Sequence, residues 1–422
     1  MSGRLKALKA FGPGILFAGA AIGVSHLVQS TRAGALFGLG LVPVILIALA
    51  IKYPAFQFGP RYAAATGTSL LEGYRRRGKP ALILYAALTL GTLFTVQAAV
   101  TLVTAGLLLS LIGPVMSATS MSAVLLAVCG AATLVGGFRL LDGLVKIAVL
   151  FLTVATFIAT ALVLPQVDWG SFFSVFGGTN IDWAPTLPFI VALAGWMPTA
   201  VDISVWHSLW TLARGRDTGH APSLRESVVD FNIGYWGTGV LSICFVFLGA
   251  ALMFGAGKEI PNQATAFAAF VVGLYTDVLG DWSRVLIGGA SFLVMFSTTI
   301  TVLDGFPRAI SCLIRRFRKP EPNGGDETPS LDRLYLAALV ILAVGSVLVI
   351  GVFRGQLRQL VDLATRISFL TAPMLALLNH KAMTGAEVPL ECQPNAPLRM
   401  FSLFCIVLLF AFAALDIWVQ FF

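Results

Sequence analysis

Within an apolar run from about Thr186 to Ala213 the chain reads Gly195-Trp196-Met197-Pro198-Thr199-Ala200-Val201-Asp202. Gly and Pro three residues apart do not both sit well in a helix interior, because proline lacks a backbone donor and crowds the carbonyl four residues back. The helix is expected to break here. In hydrocarbon, non-helical backbone is tolerated only where protein buries it or where it lines a cavity, so a break at this depth marks a site. Asp202 follows the break, and an ionisable group inside a membrane span is a functional candidate by default. The competing reading is a proline kink with an interhelically bonded Asp. Trp196, Met197 and Thr199 stand beside it as candidates for a wall, a soft ligand and a hydroxyl donor.

The first apolar run carries a similar interruption. Gly19 and Gly23 are followed by Ser25, His26, Gln29, Ser30, Thr31 and Arg32. So polar a second half cannot face lipid. His26, near mid-span, is a ligand, a titratable proton carrier or a hydrogen-bonded structural group. Arg32 is read as a partner for Asp202, a gate at the outer vestibule or half of a structural pair. His207 comes five residues after Asp202, about 140° round a helix, so the two are not expected to share a face. A hydroxyl run, Ser297, Thr298, Thr299 and Thr301, either joins carbonyls near Gly19 to Ile22 around a coupling cation or bonds back to its own helix. Asp304, one turn on, is either a pathway carboxylate or the partner of Arg308.

Composition sets the class. Of 422 residues 57% are hydrophobic and 11% charged, against roughly 25% charged in soluble proteins. The chain is therefore an integral membrane protein whose first partner is the bilayer. Apolar runs give eleven spans, near 12–36, 42–65, 80–112, 121–138, 145–165, 186–213, 229–256, 284–306, 331–353, 357–379 and 398–420. The stretch from Pro261 to Gly280 reads as an interfacial helix. The net charge of +8 sits in short runs between spans, which is an orientation signal and not a nucleic-acid surface. Lys and Arg crowd alternate loops: Arg4, Lys6 and Lys9, then Arg75 to Lys79, Arg139 and Lys146, Arg214 to Arg225, Arg308 to Lys319, and Lys381 with Arg399. The other loops hold only Lys258, Arg284, Arg354 and Arg358. The N-terminus is thus expected in the cytoplasm and the C-terminus outside, as suits a bacterial inner membrane. The stretch from Lys319 to Ser330 reads as a flexible loop. Five scattered cysteines indicate neither a disulfide framework nor zinc.

Interrupted segments at corresponding places in two halves point to a binding site between inverted repeats. The halves are spans one to five, about 12–165, and six to ten, about 186–379, with an extra helix at about 398–420, all in one transporter domain. Gly12-Pro13-Gly14 opening span one, Gly34-Ala35-Leu36-Phe37-Gly38 closing it, Arg61 through Thr66-Gly67, Ser297-Thr298-Thr299-Ile300-Thr301 and Met197-Pro198 together resemble the NRAMP-related (natural resistance-associated macrophage protein) divalent metal transporters. The resemblance covers nearly all spans and implies the inverted-repeat scaffold of the bacterial leucine transporter (LeuT).

The departures fall on the chemistry. The family's Asp-Pro-Gly-Asn becomes Gly23-Val24-Ser25-His26, and the histidine after its Met-Pro is Thr199. Its acidic positions in span three fall near Gln97 and Val100. His26 gains weight as a site residue because it stands at a substitution point of the motif.

The expected function is secondary transport by alternating access, with a divalent ion such as magnesium favoured over proton-driven manganese or iron. Asp202, His26 and Met197 are the metal candidates. Gly23, Ser25, Trp196 and Thr199 complete the substrate site, with Ser297, Thr298, Thr301 and Asp304 as coupling candidates. The alternative cargo is a small polar organic solute such as an amino acid, coupled to Na⁺. A different class is a receptor or scaffold that keeps the fold without transport. No paired carboxylates, Ser/His/Asp set, HExxH or phosphate-cradling glycine motif supports an enzyme, and no cofactor is implied. Oligomeric state is not legible.

Overall fold

The computed structural model describes residues 12–135, 138–175, 182–256, 260–322 and 332–421, with backbone only at 135, 138–145 and 420–421. The basic N-terminus, Lys258 and the loop residues 323–331 lie outside this set. Among the described residues the chain is all-helical, with eight helices long and apolar enough to cross a membrane, or nine when the bent first pair is taken as one span.

Span one is α1 (Pro13–Ala21), a π-helical turn (Ser25–Ser30) and α2 (Thr31–Phe37), bent by 44°. Span two is α3 (Val42–Thr66), which ends on the left-handed Gly67. A short helix, α4 (Leu70–Arg76), precedes α5 (Lys79–Ile112), α6 (Ala118–Val135) and α7 (Phe138–Val163). Span six is split into α8 (Trp183–Gly195) and α9 (Ile203–Thr218). Then follow α10 (Leu224–Met253), α11 (Ala264–Leu279), α12 (Ser283–Arg316), α13 (Arg333–Phe353), α14 (Leu357–Met383) and α15 (Ala396–Phe421).

Three boundaries differ from expectation. The fifth span begins at Phe138 and not near 145, so Arg139 and Lys146 belong to its first turns. The eighth runs through Pro307 to Arg316, because neighbouring elements can re-satisfy the carbonyl that a proline frees. α4 was not expected; its seven residues are too few for a periodic signal.

Close packing at small residues holds span one against span seven. A Cβ at Gly34 would lie 2.1 Å from the Val246 carbonyl oxygen, and one at Gly249 2.2 Å from that of Thr31, so both positions admit only glycine. From α10, Asp230 reaches the N-terminus of α1 and accepts hydrogen bonds from Gly12 N at 3.2 Å and Gly14 N at 2.6 Å. A carboxylate there satisfies donors that the helix leaves free and complements its dipole.

The Arg/Lys-rich end is tied together around Glu72 of α4, a buried side chain held by Arg75 at 2.7 Å and Arg76 at 3.2 Å, with Arg316 of α12 at 3.8 Å. Burial pushes the Glu72 carboxyl up, but the bonds from Arg75 and the Glu321 amide, with the charge of Arg76, outweigh it and leave the pKa below the usual value. A depressed carboxylate contributes stability above its unfolded pKa and loses it as pH falls through the folded one. Glu72→Gln is therefore expected to cost about 1–3 kcal/mol at pH 7 and to match the parent protein once the carboxylate is protonated. Melting curves in detergent across the acid range check this.

Candidate functional site

The break in span six lies where Gly195 and Pro198 place it. α8 is capped at its start by Asp182, which accepts from Ala184 N at 3.2 Å, and ends at Gly195. Residues 196–202 are not helical, and the Met197–Pro198 peptide is cis. The carbonyls freed at the end of α8 meet an unexpected partner. Lys52 of α3, fully buried, points its Nζ at Ala194 O (2.7 Å), Gly195 O (3.1 Å) and Thr199 O (3.3 Å). The Lys52 nitrogen thus stands at the negative end of a half-helix.

Asp202 occupies the other side of the break, one residue before α9. It is 1% exposed, and neither carboxylate oxygen has a hydrogen-bond partner among the described residues. It sits at the positive end of the second half-helix. A buried carboxylate without partners is costly, so its retention calls for something that binds it.

In span one, Ile22 and Gly23 leave the helix. Ser25 Oγ joins the two breaks, lying 2.8 Å from Ala21 O and 3.0 Å from Pro198 O. It is also 2.8 Å from His26 Nδ1, while His26 Nε2 is 2.9 Å from Thr238 O. A carbonyl only accepts, so Nε2 carries the hydrogen toward Thr238, while the single Ser25 hydroxyl hydrogen is shared among Ala21 O, Pro198 O and the neighbouring Nδ1. Both ring nitrogens are therefore in contact, Nε2 tying span one to span seven and Nδ1 its own neighbour Ser25.

Between the breaks is a cavity of about 30 Å³, room for roughly two waters or one bare ion. Its acid is Asp202, its polar rim Ser25, Thr199 and Thr298, and its walls come from α1, α5, α9 and α12. Trp196, Trp206 and Phe306 form the aromatic side, and Val96, Val100 and Val302 the aliphatic side. Trp206 meets Phe306 edge-on with ring centroids 4.7 Å apart, and its indole nitrogen has no partner among the described residues. Trp196 is fixed by a bond from Nε1 to Ser368 Oγ at 2.8 Å.

Of the sequence candidates, Ser25, Trp196, Thr199, Asp202 and Thr298 line this cavity. Gly23 adjoins it, where a Cβ would come within 3.4 Å of Met295 Sδ and 3.5 Å of Thr298 Cγ2. The metal set of Asp202, His26 and Met197 is not brought together. His26 is spent on Ser25 and Thr238, Met197 is fully buried away from the lining, and no three His, Cys, Asp or Glu side chains among the described residues converge as a metal site.

The hydroxyl run mostly bonds back to its own helix: Thr298 Oγ1 shares its hydrogen between Gly19 O at 2.9 Å and Val294 O at 3.0 Å, and Thr301 bonds to Ser297 O at 2.8 Å; neither Ser297 nor Thr301 lines the cavity. Asp304 takes Arg308 at 2.9 Å and the Tyr335 hydroxyl at 2.7 Å, which is the ion-pair alternative. Arg32 does not reach Asp202. It forks onto Asp362 of α14 at 2.6 and 3.1 Å, with Gln29 alongside.

Sequence reasoning missed Lys52, Asp230 and Asp362. Lys52 had a usable signal, since it stands ten residues into a 25-residue apolar helix and a lysine at that depth needs a partner.

Two broken spans facing each other across a central cavity define the fold of the LeuT-type inverted-repeat membrane proteins. The chain belongs to the family of the uncharacterized protein PM0681 of Pasteurella multocida, to which it is 33% identical over 384 residues, 90% of this chain and 86% of that one. No family model matches. Among solved structures it is similar to the manganese transporter of Eremococcus coleocola bound to an aromatic bis-isothiourea substituted compound, with TM-score 0.72 and 15% identity over 98% of this chain and 87% of that one. MhsT in complex with L-phenylalanine gives TM-score 0.61 and 13% identity, covering 95% and 98%. Mhp1, a nucleobase-cation-symport-1 family transporter with bromovinylhydantoin bound, gives 0.57 and 15%, covering 97% and 92%. At these identities the likeness is one of fold.

Proposed function

We propose that the chain is a secondary transporter that alternates access about the cavity between its two breaks and carries a small, singly charged cation held by Asp202. The unpartnered buried carboxylate facing the cavity between the breaks carries this reading. Charge sets the valence. One acid compensates one positive charge, and a divalent ion would bring a second into a wall of valines and aromatics. Magnesium dehydrates reluctantly and usually keeps several waters, more than the roughly two that the cavity admits. The basic end, around Arg75–Arg77 and Arg315–Arg316, faces the cytoplasm in this reading, which suits a bacterial inner membrane.

The second reading is a divalent metal ion, as the NRAMP-related resemblance implies. The likeness to the Eremococcus coleocola manganese transporter supports it. Purified protein in proteoliposomes separates the two. Na⁺, K⁺ and methylammonium are offered beside Mg²⁺, Mn²⁺ and an amino-acid panel, with thermal stabilisation and uptake as readouts. Saturable stabilisation and accumulation of a monovalent cation is expected. A response confined to Mn²⁺ or Mg²⁺ moves the assignment to the metal, one confined to amino acids to an organic solute, and no uptake of anything leaves a receptor or scaffold.

A further inference from the structure

Lys52 is the one polar group at the breaks that no expected role uses. Its nitrogen faces three carbonyl oxygens and, among the described residues, no carboxylate. Three carbonyl acceptors ask for three N–H donors, which an ammonium has and a neutral amine lacks. Carbonyls converging at the negative end of a half-helix form the kind of oxygen cradle that binds a bare monovalent cation between unwound segments. Here the cradle is already full.

We propose that the Lys52 ammonium is a resident cation, tethered by its side chain into the carbonyl cradle of span six in place of a bound ion. It acts as a specificity-determining residue. By filling the cradle it leaves Asp202 as the sole place for a mobile cation, so the carrier takes one cation and not two. The geometry favours this over simple packing, because a lysine stem filling apolar space would send its nitrogen toward water and not onto three inner carbonyls. The proposal rests on the transporter reading for its consequence, but its core is a binding statement that needs no transport to test.

The test uses purified full-length protein and melting temperature, in an Asp202→Asn background that removes the mobile cation. That variant alone is expected to give no saturable response to Na⁺, K⁺, methylammonium or n-propylammonium. Adding Lys52→Ala empties the cradle, and the melting point is expected to fall by about 5 °C or more. Methylammonium or n-propylammonium, each supplying the missing N–H donors, is expected to restore at least about half of that loss saturably. A fall that no cation restores makes Lys52 a packing residue and overturns the proposal, as does no fall at all. A saturable monovalent response in Asp202→Asn with Lys52 intact also overturns it, by revealing a second cation site; this arm stands even where the double variant does not fold. Failure of uptake in proteoliposomes, by contrast, bears on the transporter reading and leaves these melting results unaffected.

Discussion

Asp202→Asn is expected to weaken substrate binding about 100-fold or more, roughly 3 kcal/mol, while the ligand-free protein melts no lower than the parent and in all expectation higher. The two effects share one cause. The carboxylate is buried to 1% exposure with both oxygens unpartnered, so the empty protein bears the cost of an isolated charge. A bound cation removes that cost; asparagine never incurs it. Isothermal titration or thermal shift with the responding cation gives the first number, and melting without ligand the second. If the variant melts far below the parent protein, Asp202 is a structural group, and the cavity loses its anchor.

Gly195→Ala is expected to abolish properly folded protein. An added Cβ would lie 2.0 Å from the Thr365 carbonyl oxygen and 2.8 Å from its carbon, so the clash is with helix backbone that no rotamer change relieves. α8 would have to part from α14, and the loss is expected to be about 3 kcal/mol or more, at the upper end of overpacking costs. Gly289 of α12 is the control. Nothing lies within 4 Å of its Cβ position, so Gly289→Ala is expected to be neutral or to gain about 0.5–1 kcal/mol. Size-exclusion profiles of the detergent-solubilised variants, followed by melting, read both.

The elements that were legible in the sequence are those where a local rule acts alone. Gly195 with Pro198 forces the span-six break whatever surrounds it, and the eleven apolar runs report only their own transfer from water. Asp202 was legible because an acid at that depth is rare. His26 was not, since the same ring serves as ligand or as tether, and only the position of Thr238 O on span seven decides. Thr298 and Thr301 make the same point within one helix. Three residues apart, both reach their own backbone, and only Thr298 also reaches Gly19. Lys52 required knowing that span two passes beside the break in span six, a long-range pairing that no sequence window contains.

The fixed charges at the span-six break are opposite in sign and flank the same seven unwound residues. On the proposed reading, and with both groups charged, an empty carrier would turn over with almost no net charge in the transmembrane field. Once a monovalent passenger sits on Asp202 the moving body carries one surplus positive charge, on which 100 mV exerts about 2.3 kcal/mol. If the proposed reading holds, the lysine would confine the membrane potential's influence to the loaded half of the cycle.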